Sequence, residues 1–333
     1  MSADPPVPRH LTAAALRALL PMDAAIAAIG AALSDGLDPE ADPARTAVDV
    51  PAGQLLLMPA SSARYAGVKI AGVAPANPAR GLPRITGTYL LLDGATLQPL
   101  ATFDGPALTA LRTPAVSAVA IAALTEDRPL DVLLYGTGPQ AAGHVEAVRA
   151  VRTVRRLRVV GRDPARTAGF VARCVAAGVA AEVADAGTVG AADDARAVGA
   201  ADDARAVGAA DLVVCCTSAR TPLFDGRLLA EHATVVAMGS HEPAAREVDT
   251  ATVRRCQLYV EARSAALREA GDLLLAGVDG RRLVNLAELR TATVRRDVPR
   301  LFKGVGMAWQ DIVVAAAAHA RLAAAGPGRK VER

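Results

Sequence analysis

The first third of the chain begins with a helical hydrophobic pattern and continues with short apolar runs. Residues 11–33 are rich in alanine and leucine and favour helix, with Thr12 expected to cap its start and Pro21 expected to break it. Runs of leucine, valine, isoleucine and tyrosine predict strands at residues 54–58, 65–73 and 88–92. Asp93-Gly94, followed by an apolar stretch at residues 97–103, predicts a hairpin. The pattern is helical again from Pro106 to residue 124.

The middle third alternates short apolar strands with helical stretches. Strands are predicted at residues 132–135, 157–160, 212–216, 234–238 and 258–260, and helices at residues 142–150 and 167–176. This alternation is typical of a parallel sheet with helical crossovers, so the predicted fold class is α/β. In the last third, helices are predicted at residues 264–275 and 307–325. We expect the last helix, which is strongly apolar, to pack back on the first part of the chain.

Composition excludes several classes of protein. The 333 residues suggest about two domains. Hydrophobic residues make up 52% of the chain and charged residues 21%, which excludes a disordered protein. The net charge is only +3 and the basic residues are scattered, so neither nucleic acid nor a membrane surface is an expected partner. The expected partner is a small molecule.

Signals for membrane insertion, secretion and metal binding are also not recognised. The apolar stretches at residues 115–124 and 312–318 are shorter than the roughly 18 residues of a spanning helix. The proline-rich N-terminus lacks the basic start of a signal peptide, so a cytoplasmic location is expected. The four cysteines are expected to be buried thiols and not a metal site, because none has C-x-x-C spacing. They are Cys174, Cys215, Cys216 and Cys256.

A nine-residue unit, GAADDARAV, occurs at residues 190–198 and again at residues 199–207. Two such units are too few for a solenoid. We therefore interpret the duplication as a surface helix or loop between two strands, and no function is assigned to it.

A glycine-rich turn follows the predicted strand at residues 132–135. Gly136, Gly138 and Ala141 fit the G-x-G-x-x-[GA] spacing, and the next helix offers unpaired N–H groups and the positive end of its dipole to a pyrophosphate. The strand before the turn and the helix after it are the context that this motif requires, so the sequence predicts a dinucleotide site. The cofactor-binding residues expected in this turn and at the ends of later strands are Gly136, Thr137, Gly138, Pro139, Gln140, Ala141, Cys216, Thr217, Met238 and Gly239.

The end of the second strand indicates which dinucleotide is bound. An acidic residue at this point accepts from the ribose 2′-OH of NAD, whereas an arginine favours the 2′-phosphate of NADP. The sequence has Arg162, with Asp163 next to it and Arg166 close behind. NADP(H) is therefore the preferred cofactor, with Arg162 and Arg166 as candidate ligands, while Asp163 leaves NAD(H) open.

Lysine is rare in this chain, which uses arginine for almost every basic position. Only Lys69, Lys303 and Lys330 are lysines among the 37 basic residues. Lys69 ends the string Tyr-Ala-Gly-Val-Lys, an odd position for a solubilising charge. Arg45 precedes a Leu-Leu-Met-Pro string, and Arg112 lies in Leu-Arg-Thr-Pro-Ala.

These strings closely resemble the ornithine cyclodeaminase/mu-crystallin family. The resemblance runs from about residue 45 to residue 320 and includes the glycine-rich turn, Thr-Pro-Leu-Phe-Asp-Gly at residues 221–226, Gly-Ser-His at 239–241, Arg-Glu-Val-Asp at 246–249 and Phe-Lys-Gly-Val-Gly at 302–306. It implies a Rossmann domain at residues 125–303. It also implies a second, α+β domain, built from residues 1–124 and 304–333, that binds substrate and forms a homodimer.

The resemblance also implies roles for particular residues. Arg45, Lys69 and Arg112 would hold the carboxylate of an amino or imino acid, in agreement with the suitability of a guanidinium for a carboxylate. Thr113 would bind a cofactor phosphate, and the turn at residues 304–306 would approach the nicotinamide. The remaining contacts implied are Met58 and Gly304 for the substrate, and Val305 and Gly306 for the cofactor.

Two departures from the family's cyclodeaminases narrow the expected reaction. Cyclodeaminases typically carry an acidic residue just before the Leu-Met-Pro string and an aspartate in a Gly-Gly-Asp segment, where this chain has Leu56 and His241. Without those carboxylates little is left to bind a distal ammonium or act as a base on it. The chain looks more like members that reduce cyclic imines.

The predicted function is NAD(P)H-dependent reduction of Δ1-pyrroline-2-carboxylate or Δ1-piperideine-2-carboxylate to proline or pipecolate. Lys69 and His241 are the candidate catalytic residues, as donors to the imine nitrogen or stabilisers of its protonated form. Alternatives within the same fold are an ornithine or lysine cyclodeaminase and an alanine-type amino-acid dehydrogenase. A non-catalytic NADPH-dependent ligand-binding protein is the alternative of another class.

Overall fold

The computed structural model describes residues 8–184 and 205–325. The chain divides into two compact units: residues 1–115 with 307–333 form unit 1, and residues 116–306 form unit 2. The sequence placed these boundaries at 124/125 and 303/304, whereas the first division falls inside a helix. Most of the GAADDARAV duplication lies outside the described residues.

Unit 1 contains a six-stranded sheet in the order β1-β6-β5-β4-β3-β2. Its strands are β1 (Arg9–Leu11), β2 (Thr46–Val50), β3 (Gly53–Ser61), β4 (Tyr65–Val73), β5 (Ile85–Asp93) and β6 (Pro99–Asp104). Its helices are α1 (Ala13–Leu19), α2 (Met22–Ser34), the start of α3 (Gly105–Leu124) and α9 (Ala308–Ala324). The strands pair antiparallel except β1 with β6. The last helix, α9, packs on α1, α2 and strands β3 to β5, as the sequence predicted.

Local sequence explains where several of these elements begin and end. The Thr12 side chain accepts from Ala15 N–H and caps α1, and Pro21 separates α1 from α2, which meet at a bend of 71°. Asp93 closes the β5–β6 hairpin, because its Oδ1 accepts from the N–H groups of Ala95 and Thr96. The predicted Thr12 cap, the break at Pro21 and the hairpin are therefore confirmed.

One row of side chains crosses the inner face of this sheet. Met58, Lys69, Tyr89 and Phe103 are register partners on β3, β4, β5 and β6. All four are buried. Since neighbours directly opposite on adjacent strands share a face, Lys69 is a charged residue set in an otherwise apolar row beneath α9.

Unit 2 contains an eight-stranded, wholly parallel sheet in the order β13-β12-β14-β11-β10-β7-β8-β9. Its strands are β7 (Leu130–Tyr135), β8 (Val154–Val160), β9 (Ala181–Val183), β10 (Leu212–Cys215), β11 (Thr234–Ala237), β12 (Gln257–Val260), β13 (Leu283–Asn285) and β14 (Arg300–Lys303). Its helices, besides the end of α3, are α4 (Pro139–Val151), α5 (Pro164–Ala176), α6 (Thr250–Arg255), α7 (Arg263–Glu269) and α8 (Gly271–Leu274). The reversal of strand order around β7 is the doubly wound arrangement of a dinucleotide-binding fold, and the predicted α/β class is confirmed. The predicted helix at residues 264–275 is instead two helices, which meet at Ala270.

Helix α3 corrects the sequence reading of apolar stretches. The helix spans Gly105–Leu124, and its 20 residues are long and apolar enough to cross a membrane by composition alone. The sequence predicts the helix from Pro106 to residue 124, but it names only residues 115–124 as an apolar stretch. Two thirds of its most apolar stretch is buried inside the protein, as in a helix of a protein core.

Candidate functional site

A buried ion cluster lies between the sheet and helices of unit 1. The Nζ of Lys69, on β4, donates to Oδ2 of Asp311, on α9, across 2.6 Å. The Nε of Arg112, on α3, lies 3.3 Å from the other oxygen, Oδ1, of the same carboxylate. All three side chains are buried. The cluster therefore carries two positive charges and one negative charge out of water.

Polar neighbours complete the contacts of the two cations. Arg112 donates from Nη1 to Oε1 of Gln310 across 2.5 Å, and Lys69 lies 3.4 Å from Oγ1 of Thr109. Burial lowers the pKa of Lys69 to about 8, from 10.5; Asp311 opposes this shift, whereas the positive charges of Arg112 and Arg45 add to it. Lys69 is thus a lysine whose pKa is lowered to about 8.

The start of α9 is fixed by a carboxylate from another part of unit 1. Oδ2 of Asp42 accepts from the N–H groups of Ala308 and Trp309 at 2.9 and 3.2 Å. A carboxylate at this point satisfies two unpaired donors and complements the helix dipole. It holds the helical turn that presents Gln310 and Asp311.

Tyr89 lies beside Lys69 on the neighbouring strand. Among the residues that the structure describes, its hydroxyl has no hydrogen-bond partner although it is buried. A Cβ at Gly67 would lie 2.2 Å from this hydroxyl, so glycine at that position makes room for the ring. A buried unpaired hydroxyl is costly in a core, and it is a group that a polar ligand satisfies.

The other residues predicted to bind substrate or cofactor in unit 1 surround the cluster unevenly. Met58 is buried and pairs in register with Lys69. Arg45 is partly exposed in the segment before β2 and reaches Lys69 through its charge. Thr113 is buried and follows Arg112 on α3. The structure therefore brings together Met58, Lys69 and Arg112, with Arg45 at the edge.

The predicted glycine-rich turn joins β7 to α4 in unit 2. Gly136 has φ of +115°, and a Cβ there would lie 2.4 Å from the carbonyl oxygen of Cys216. Gly138 is the N-cap residue of α4, and no side chain caps the helix there. A Cβ at Gly138 would meet no atom within 4 Å. The N-terminus of a 13-residue helix thus begins at Gly138 beside open space. These features fit a pyrophosphate.

A buried carboxylate organises the ends of the next two strands. Oε1 of Glu247 accepts from the N–H and the hydroxyl of Thr217, at 2.8 and 2.7 Å, and Oε2 accepts from Gly239 N–H at 2.7 Å. Cys216 Sγ lies 3.4 Å from Nδ1 of the buried His144. Burial raises the pKa of Glu247, against the opposing charge of Lys303 and these hydrogen bonds.

A second buried carboxylate shapes the turn after β14. Oε2 of Glu261 accepts from the N–H groups of Val305 and Gly306, each at 2.8 Å. Lys303, also buried, donates to the carbonyl of Ser240 at 2.6 Å and lies 3.1 Å from Asp272. Gly304 packs tightly against Met238, because a Cβ at this position would lie 2.4 Å from the Met238 Cε. The turn is rigidly placed, and Lys303 acts as part of its support.

The end of β8 presents two exposed arginines. Asp163 caps α5, because its Oδ1 accepts from Arg166 N–H at 3.0 Å, and its Oδ2 lies 3.6 Å from the Arg166 guanidinium. Arg162 is exposed in the same turn. The carboxylate that favours NAD is thus engaged as a helix cap, while both arginines face solvent.

His241 is exposed on the segment after β11, and Leu56 lies on β3 two residues before Met58. The four cysteines are free thiols, of which Cys216 alone is partly exposed. Among residues 8–184 and 205–325 no group of three or more acidic, histidine or cysteine side chains is arranged to hold a metal ion.

Sequence reasoning missed several residues of both sites. Asp311 and Gln310 were read only as part of an apolar helix, although a carboxylate in such a helix signals a buried partner. Asp42, Tyr89 and Glu261 gave no signal of their own, because their roles depend on backbone groups or side chains far away in sequence.

The model of the ornithine cyclodeaminase/mu-crystallin family matches residues 8–326. The chain is 37% identical over 331 residues to the Delta(1)-pyrroline-2-carboxylate/Delta(1)-piperideine-2-carboxylate reductase of Azospirillum brasilense, covering 97% of this chain and 99% of that protein. It is also 37% identical over 319 residues to Delta(1)-pyrroline-2-carboxylate reductase 1 of Burkholderia multivorans, with 94% and 95% covered. The structure of Thermococcus litoralis Delta(1)-pyrroline-2-carboxylate reductase in complex with NADH and L-proline superposes with a TM-score of 0.85 at 26% identity, covering 97% of this chain and all of that one.

Proposed function

The chain belongs to the ornithine cyclodeaminase/mu-crystallin family, and from this membership we propose that it reduces a cyclic imino acid with a reduced nicotinamide cofactor. The substrates are Δ1-pyrroline-2-carboxylate and Δ1-piperideine-2-carboxylate, and the products are L-proline and L-pipecolate. The relatives from Azospirillum brasilense and Burkholderia multivorans, and the Thermococcus litoralis structure, support this reaction over the alternatives.

The proposal rests on one observation: two buried cations lie beside an apolar surface of strand β3. Lys69 and Arg112 supply the positive charge for a carboxylate. Beside them on β3, Leu56 and Met58 point to one face, since side chains alternate along a strand. Their register partners on β4 are Ala71 and Lys69. A ring of methylene groups that carries one carboxylate, as in a cyclic imino acid, suits this surface. The distal ammonium of a diamino acid would find no carboxylate on β3.

The chain's own residues bind the substrate and protonate it. Arg112, Lys69 and the charge of Arg45 attract the substrate carboxylate and fix its orientation, and such positioning provides much of the rate gain in a hydride transfer. Lys69 donates the proton that the imine nitrogen acquires, because its pKa, lowered to about 8, makes the amine a better acid than an ordinary lysine. His241 is the second candidate for this role, exposed after β11.

Residues of unit 2 hold the cofactor. The N-terminus of α4 and the turn at Gly136 and Gly138 take the pyrophosphate. The ends of β10, β11 and β14 line the same edge of the parallel sheet, which is where such folds bind dinucleotides. The bound cofactor, in its reduced form, supplies the hydride. NADP(H) is the preferred form, because the arginines of the β8 turn face solvent while Asp163 caps α5.

A homodimer is also part of the proposal. The outer face of the unit 1 sheet, away from α9, exposes Val48, Val50 and Ile70, each at more than 40% of its surface. Val48 and Val50 lie on the edge strand β2, all of whose residues are exposed. A contiguous exposed apolar patch of this kind marks an interaction surface. A second copy of this sheet is the partner that the family resemblance implies.

The decisive experiment measures the loss of the reduced-nicotinamide absorbance with NADPH and Δ1-pyrroline-2-carboxylate, and in parallel with Δ1-piperideine-2-carboxylate and with NADH. In a parallel incubation, the protein is given NAD⁺ and L-ornithine, and the release of ammonia is measured. Rapid consumption of NADPH with formation of L-proline is the expected result. Ammonia release without imine reduction would identify a cyclodeaminase instead, and saturable ligand binding without any turnover would identify a binding protein.

A further inference from the structure

Asp311 holds a central place in the buried cluster but is not among the carboxylate-binding cations. Its two oxygens are divided between two partners, Oδ2 to Lys69 Nζ and Oδ1 to Arg112 Nε. It lies in the first turn of α9, which Asp42 caps from another segment. Its position is therefore fixed from both ends, by the helix that carries it and by the two cations that it separates.

The charges that face Lys69 come from every element around it. Arg112 on α3 and Arg45 before β2 are positive, and Asp311 on α9 is negative. The charge of Asp42 acts on the neighbouring Tyr89. Two neutral groups also lie near Lys69. Thr109 on α3 lies 3.4 Å from its Nζ, and Tyr89 on β5 stays protonated because burial and the charges of Asp311 and Asp42 raise its pKa. Asp311 is in direct contact with Lys69, since Nζ and Oδ2 are 2.6 Å apart.

We infer that Asp311 is a positioning residue of the reductase reaction: it keeps the Lys69 amine protonated and aimed, and so sets the pH at which the proton is delivered. This inference rests on the proposed function. An arriving substrate carboxylate takes over part of the attraction to Lys69 and Arg112, which a cluster with a net positive charge accommodates. Asp311 itself donates no proton in this step.

The proton balance of the step is simple. The imine nitrogen takes a proton from Lys69 Nζ, so an N–H bond forms and Lys69 becomes a neutral amine. The reduced nicotinamide supplies two electrons as hydride to the ring carbon that bears the carboxylate, where a C–H bond forms, and the nicotinamide is oxidised. Water then returns a proton to Lys69. Throughout, the negative charge of Asp311 favours the protonated lysine with which each turnover begins.

The test compares Asp311→Asn, Asp311→Glu and Thr109→Val. In the wild type, kcat/KM is expected to fall as the pH rises through about 8, where Lys69 loses its proton. Asp311→Asn removes the charge that raises the pKa of Lys69, so the fall should begin about one to three pH units lower. Asp311→Glu keeps the negative charge, so kcat/KM should fall at the same pH as in the wild type. Its longer side chain should misplace Lys69 and lower kcat. Thr109→Val, which removes a longer contact to a neutral oxygen, should move the fall less than Asp311→Asn does.

A second readout does not depend on turnover. Lys69 and Lys303 are the lysines in residues 8–184 and 205–325, so pH-dependent acetylation followed by mass spectrometry of the Lys69 peptide reports the midpoint of this one amine. The midpoint should be about 8 in the wild type and lower in Asp311→Asn. If Asp311→Asn does not fold, Asp311→Ser, a smaller side chain that also lacks the charge, takes its place.

The outcomes separate the two proposals. If the wild type reduces the imine, but neither the pH profile nor the labelling midpoint moves in the neutral variant, the role of Asp311 is wrong and the reductase stands. If the midpoint moves as expected while no imine is reduced, the proposed function is wrong and the coupling of Asp311 to Lys69 stands. A uniform loss of kcat with an unmoved profile would mean that Asp311 is merely structural.

Discussion

The backbone N–H of Gly239 donates to Oε2 of Glu247 across 2.7 Å, while the other oxygen of that carboxylate accepts from Thr217. Gly239 follows β11 and Thr217 follows β10, and these strands are neighbours in the parallel sheet. One buried carboxylate therefore ties together two loops at the edge where the dinucleotide is proposed to bind. All of its partners are donors, so it works only as an acceptor.

Glu247→Gln should destabilise the protein and weaken cofactor binding. The amide NH₂ of glutamine would place a donor against Thr217 or Gly239, leaving a buried N–H unsatisfied at a cost of about 1–3 kcal/mol. Urea unfolding and NADPH fluorescence titration measure the two effects. The matched control is Glu242→Gln, which removes an exposed ion pair with Arg220 and should change stability by less than about 1 kcal/mol. Equal stability of the two variants would contradict the role of Glu247.

Substitutions of two glycines in the cofactor turn should distinguish an effect on stability from an effect on cofactor binding. Gly136→Ala places a Cβ against the Cys216 carbonyl at a φ of +115°, so it should cost at least about 2 kcal/mol of stability and abolish cofactor binding. Gly138→Ala meets no atom within 4 Å and has a φ of −85°. It should keep near-normal stability yet weaken NADPH binding, because its methyl group enters the space assigned to the pyrophosphate. Normal NADPH affinity of Gly138→Ala would contradict that assignment.

Much of unit 2 could be predicted from the sequence, because its signals are local. The central strands β10 (Leu-Val-Val-Cys) and β11 (Thr-Val-Val-Ala) are short, almost wholly apolar runs, and the turn from β7 to α4 is specified by glycines a few residues apart. The Thr12 cap and the Asp93 turn are equally local. Short strands with no such pattern, such as β1 and β9, were missed, since their existence depends on pairing with a distant strand.

The chemistry of the site was less predictable for the same reason. Lys69 was identified from its rarity, but its partner Asp311 lies 242 positions away, and no local pattern joins them. The acidic residues Glu247 and Glu261 each bind backbone N–H groups of another loop, which leaves no mark on the sequence near those loops. Spacing reveals residues that act along one element, whereas tertiary partners appear only when the chain is folded.

Arg162 should govern the preference for NADPH over NADH. Arg162→Ala removes an exposed guanidinium from the turn after β8, and losing a charged hydrogen bond of about 1.5–3 kcal/mol should raise the KM for NADPH roughly 10-fold or more. The KM for NADH should change little. Steady-state kinetics with both cofactors measures the ratio. Arg173→Ala, at the other end of α5, is the control and should leave both values unchanged. Equal effects on the two cofactors would contradict 2′-phosphate recognition.

Ile70 should be required for a dimer. Ile70 lies on β4 next to Lys69 but on the opposite, outer face of the sheet, where it is 42% exposed. Ile70→Glu places a charge in the proposed interface, where burying it without a partner is costly, and should convert the dimer to a monomer in sedimentation velocity. Val175→Glu, on α5, carries the same change at an exposed apolar residue of unit 2 and should remain dimeric. A monomeric wild type would contradict the proposed dimer.

His144 should make the protein less stable in acid. Burial lowers the pKa of His144 to about 4, and its neutral ring contacts the Gln140 carbonyl and Ser117 Oγ at 2.8 and 2.9 Å. Because the unfolded value is 6.5, this stability is complete above pH 6.5 and is lost as the pH falls through 4. The stability advantage of the wild type over His144→Gln should therefore shrink, by about 3 kcal/mol, across that range. Urea unfolding at each pH measures it. His10→Gln, at an exposed ring, is the control, and a constant advantage would contradict the prediction.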